Sequence, residues 1–173
     1  MTTPPPPALL PIHLTTKPAS PGTTDTAPST DLTLVIGQST THHPMQQAIY
    51  CQNITITLPA GNTPTDLHTP YAAHDITTSV PYPGPHLPGY GWSIRTITDT
   101  PGETQFTCRP CDSPARFDGT CPVTFILSSI TPNTQPGTAT ITITETTTLT
   151  PTSPYSTRQH HIHIDKPTLH THA

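Results

Sequence analysis

Four cysteines and eleven histidines carry most of the chemistry this 173-residue chain can offer. Cys108-Arg109-Pro110-Cys111 has the Cys-x-x-Cys spacing that lets two thiolates converge on zinc from one tight turn. Cys121 would add a third ligand, and Cys51 or a histidine a fourth. The same cysteines have two other readings. Cys51–Cys108 or Cys51–Cys121 disulfides would form in an oxidising compartment. Reduced, packed thiols would suit a reducing one. All three readings stay open at the level of the sequence. A thioredoxin-like redox role fits less well, because that motif needs a helix N-terminus and Pro114 lies close by.

The second concentration is His160-His161-Ile162-His163-Ile164-Asp165, followed by His170 and His172. On a strand, His161, His163 and Asp165 share one face, and Ile162 and Ile164 the other. Alternate imidazoles standing side by side are a sound metal geometry. The competing expectation is an edge strand whose isoleucine face covers the core. Hydrolytic chemistry has no comparable signal. Ser128 and Ser129 lack the Gly-x-Ser-x-Gly elbow, and Asp66, Asp75, Asp99, Glu103, Asp112, Asp118 and Glu145 form no paired motif. There is no Gly-rich phosphate loop. No catalytic residue is assigned, and no cofactor beyond the zinc reading. Tyr82, Tyr90 and Trp92 surround a Pro/Gly-rich loop at 81–91. Exposed, they would stack on a sugar or a partner protein; buried, Trp92 would plug one end of a sandwich.

These residues must be positioned by strands. Threonine makes up roughly a fifth of the chain, and 25 prolines discourage helices. Leu32, Leu34 and Ile36 alternate with polar or branched neighbours. Ile54, Ile56 and Leu58 do the same, as do Val123, Phe125 and Leu127, and Ala139, Ile141 and Ile143. Segments at Asp75–Val80, Trp92–Thr98 (with Trp92, Ile94 and Thr96 inward) and Gln105–Cys108 read as further short strands. Six to eight such strands predict an all-β, two-sheet antiparallel sandwich over residues 31–150. A disordered Pro/Thr-rich leader is expected over 1–30, and a linker plus His-rich final strand or tail over 151–173. The general plan resembles immunoglobulin-like sandwiches, with Cys51 and Cys108 in the outer positions. Trp92 falls later than in that pattern, and Phe106 stands where it has tyrosine.

Charge narrows the function classes. The net charge is −4 with only six Lys and Arg, which argues against nucleic acid and against an anionic membrane surface. No run reaches the roughly 20 apolar residues of a bilayer span. The first residues lack a basic n-region, so the default expectation is cytoplasmic, although the Thr/Pro-rich composition also fits non-classical export. The expected role is a non-enzymatic binding or structural protein presenting loops to a protein or polysaccharide partner. The alternatives are a small zinc protein using the Cys108/Cys111 knuckle or the histidine cluster, and an enzyme of unknown type.

Overall fold

The computed structural model describes residues 6–18, 29–42, 44–81 and 91–166. They form ten strands and one 3-10 turn: β1 (Ile12–Pro18), β2 (Thr30–Ile36), β3 (Ile49–Pro59), the turn Pro70–Asp75, β4 (Thr77–Ser79), β5 (Trp92–Ile97), β6 (Glu103–Pro110), β7 (Ala115–Phe117), β8 (Val123–Ile130), β9 (Thr138–Thr148) and β10 (Ser156–Asp165). One sheet has the order β1-β2-β8-β4. The other runs β10-β9-β3-β6-β5, with β7 also paired to β3. All strand pairings are antiparallel. No helix among the described residues is long and apolar enough to cross a membrane.

The alternation that predicts the strands also builds the core. Leu32, Leu34 and Ile36 of β2 and Phe125 and Leu127 of β8 are buried from one sheet. Ile54, Ile56 and Leu58 of β3, Phe106 of β6 and Ile141 and Ile143 of β9 are buried from the other. Each such side chain contributes about 1.5–3 kcal/mol of burial before ordering entropy is counted. Trp92 of β5 stands edge-on to Phe125, with ring centroids 5.4 Å apart, so it plugs one end between the layers. Gly37 has φ of +86°, and a Cβ there would overlap the Phe117 ring. Glycine is required at that turn on both counts.

Three expectations need correction, and one short strand, β7, is new. The leader at 1–30 contains β1, which pairs with β2 from Ile12↔Ile36 to Pro18↔Thr30. Proline is tolerated there because an edge strand forms a ladder on one side only. β7 has three residues, too few to show a period in the sequence. Thr96, expected inward, is exposed on edge strand β5. Cys51 and Cys108 lie on neighbouring strands β3 and β6 of one sheet, not in opposite layers. An inter-sheet disulfide of the immunoglobulin kind cannot join them.

His68 sits where the chain crosses between layers, its backbone bridged to Ala60 and Pro132. It is fully buried. Nδ1 lies 2.7 Å from the Thr69 carbonyl oxygen, so it carries the proton and donates. Nε2 is enclosed without a hydrogen-bond partner among the described residues. Burial pulls this imidazole below its ordinary pKa of 6.5, and the charge of Asp66 opposes only in part. The sign follows: below about pH 6.5 the unfolded chain takes up the proton and the folded one resists, so stability falls with acidification. The contribution is full above that value, and its slope is at most about 1.4 kcal/mol per pH unit. Urea titrations between pH 8 and 5 should show a shallower loss for His68→Phe than for the native chain. An identical slope would contradict the assignment.

Candidate functional site

β9 carries an inward row of Ala139, Ile141, Ile143, Glu145 and Thr147. A carboxylate in that row must find donors or be expelled. Glu145 is completely buried and finds four. Its Oε1 accepts the backbone N–H of Leu9 at 3.2 Å and of Leu10 at 3.1 Å, together with His160 Nε2 at 2.6 Å. Its Oε2 accepts the Thr147 hydroxyl at 2.6 Å. The carboxylate fixes the tautomer of His160, whose Nε2 must carry hydrogen.

The donors come from three places because the segment before β1 crosses between sheets. Pro11 cannot donate to a ladder, and β1 begins only at Ile12, so the Leu9 and Leu10 amides are free to turn toward Glu145. Arg158 of β10 donates to the Pro7 carbonyl at 2.9 Å, and the Pro11 carbonyl accepts from Gly37 at 2.9 Å. Leu10 is buried beneath. Residues 7–11 thus strap the edge of the six-stranded sheet to the edge of the four-stranded one.

A cleft of about 550 Å³ opens beside this strap. Its lining includes Leu9, Met45, Gln46, Gln47, Leu149 and His160. Leu149 keeps 40% of its surface exposed; among the described residues, Tyr71 is the other large hydrophobic side chain so exposed. An ionised carboxylate has about four acceptor positions. Three donors converge on Oε1 and one on Oε2, so Glu145 anchors the chain and the imidazole together.

The cysteines do not gather. Cys108 is buried on β6 and Cys111 is exposed just past its end, so the two thiols of the Cys-x-x-Cys run point in different directions. Burial pushes Cys108 up to about 12 and raises Cys51 further still, where Glu145 adds to the effect. Such thiols resist forming the thiolates that zinc needs. Cys121 is half-buried, and all four are free thiols, so neither Cys51–Cys108 nor Cys51–Cys121 is bonded. Among the described residues no group of three or more His, Cys, Asp or Glu could hold a metal ion. Of the three readings of the cysteines, packed reduced thiols describe Cys51 and Cys108 as they stand.

His161 and His163 stand on the exposed face of β10, and Ile162 and Ile164 pack inward against the core, as the alternation predicts. Trp92 is half-buried between Phe117 and Phe125. Tyr82 and Tyr90 lie outside the described residues. The sequence reading missed the Glu145–His160 pair and Leu149. A signal for the first was present: Glu145 falls on the apolar parity of β9, where an acid requires a partner. Comparisons with protein-family models, with curated proteins and with solved structures find no match for this chain.

Proposed function

We propose that this chain is a non-enzymatic binding protein, a β-sandwich of immunoglobulin-like general plan that receives an apolar segment of a partner protein in the cleft beside the strap. The carrying observation is Leu149, a large apolar side chain left exposed in the lining of a 550 Å³ cleft. Met45 and Leu9 continue that apolar lining, and Gln46 and Gln47 add neutral hydrogen-bonding groups. Such a mixture suits a peptide more than a sugar, which is usually held by stacked aromatic rings. Glu145 is held by two strap amides, a hydroxyl and an imidazole, an anchoring role that suits a fixed binding surface. The shortage of cations supports a protein partner over a nucleic acid.

The test is selection of displayed peptides on the immobilised full chain. Peptides with an apolar core should be enriched, and Leu149→Glu should weaken the best of them at least about tenfold, the equivalent of 1.4 kcal/mol. Circular dichroism should show an unchanged fold, since the side chain is already exposed. Equal binding to native and variant protein would refute the cleft. Failure to enrich peptides, together with retention on a neutral polysaccharide, would replace the protein partner by a glycan.

A further inference from the structure

We propose that His161 and His163 form a binding site for a divalent transition-metal cation, with Thr142 and Thr140 as its supporting shell. The two imidazoles project from one face of β10, separated along the strand by about 7 Å, two residues of rise. Both are exposed, so a hydrated ion can reach them. Register places His161 opposite Thr142 and His163 opposite Thr140. Each ring meets its threonine in the same way: His161 Nδ1 lies 3.3 Å from the Thr142 hydroxyl oxygen, and His163 Nδ1 lies 2.9 Å from that of Thr140.

That repeated contact is what turns a histidine pair into a site. A hydroxyl both donates and accepts, and in the proposed site it accepts. A ring that donates from Nδ1 then leaves Nε2 as a bare lone pair, the form that binds metal. The hydroxyl also fixes the ring's rotation, so less freedom is lost when the ion arrives. The outward residues of β9 from 138 to 146 are all threonine, which puts no competing cation on the strand facing the rings. Asp165, held by the Thr138 hydroxyl at 2.7 Å, adds negative charge on the same face. Imidazole nitrogens favour zinc, nickel and copper over calcium and magnesium. Two protein ligands leave the other coordination positions to water, making this an open, exchangeable site. It lies on the opposite face of β10 from His160 and is independent of the peptide cleft.

Calorimetric titration of the full-length protein with zinc or copper salts tests the assignment. His161→Gln/His163→Gln should weaken binding at least about tenfold, and Thr140→Val/Thr142→Val should weaken it by roughly 10–100-fold while both histidines remain. Valine keeps the β-branch, so the thermal transition should not move. Nitrogen-15 NMR of the metal-free protein should find both rings protonated at Nδ1. A double histidine variant that titrates like the native chain would place the metal elsewhere and overturn the site. Unchanged affinity in the threonine variant, or rings protonated at Nε2, would overturn the supporting shell.

Discussion

Glu145→Ala should lower stability by about 3–5 kcal/mol, the range for stripping one partner from a buried, charge-assisted network. The substitution removes no apolar packing of consequence. It leaves two backbone amides, a hydroxyl and the Nε2–H of His160 facing a vacated, fully buried position. Two of those donors belong to the strap, so the loss should be uneven in space as well as large. Hydrogen exchange at Leu9 and Leu10 should accelerate more than exchange in β3 or β8. Glu145→Gln should cost less, about 2 kcal/mol, because one oxygen survives while the new amide group faces a donor. Urea unfolding, read by Trp92 fluorescence, gives the first quantity, and exchange mass spectrometry gives the second. If Glu145→Ala loses less than about 1 kcal/mol and the strap amides stay protected, the carboxylate does not anchor the strap.

How far these features can be read from residues alone depends on the distance over which they are decided. β3, β8 and β9 announce themselves because burial alternates over eight to eleven residues. β10 is legible for the same reason, and its exposed and covered faces fall where parity puts them. β1 is hidden because Pro11 precedes and Pro18 ends a seven-residue segment that pairs with β2 at that strand's otherwise open edge. Cys108 and Cys111 mislead because spacing does not say where β6 stops. It continues to Pro110, which sends Cys108 inward and releases Cys111 to solvent. Three of the four donors to Glu145 come from residues 15, 135 and 136 positions away, a relation no local pattern contains. The inward parity of Glu145 shows that a partner must exist without showing which one.

The same reasoning applies at the other end of the six-stranded sheet, where Asn133→Ala should lower stability by about 3 kcal/mol. Asn133 Nδ2 lies 3.0 Å from the carbonyl oxygens of Gly61 and Thr63 and 3.2 Å from that of Asp66. Its Oδ1 accepts the Gln135 N–H at 3.1 Å and the Lys166 ammonium at 2.8 Å. Lys166 follows β10 directly, is 6% exposed, and also donates to the Asp66 carbonyl at 2.5 Å. Burial pulls this ammonium below the usual lysine range, with the charge of Asp66 opposing. One amide side chain therefore satisfies a loop and a buried cation together. Alanine would take a donor from three loop carbonyls and one acceptor from the ammonium, which keeps the Asp66 carbonyl. Several contacts go at once, which is why the expected loss exceeds that of an ordinary hydrogen bond, about 1 kcal/mol. Lys166→Met should be milder, about 1–2 kcal/mol, since it removes the buried charge along with its need for acceptors. In that background Asn133→Ala should cost at least 1 kcal/mol less than in the native chain, a coupling within the usual range for residues in direct contact. Strictly additive losses in the four-variant cycle would mean that the asparagine and the lysine stabilise the loop separately.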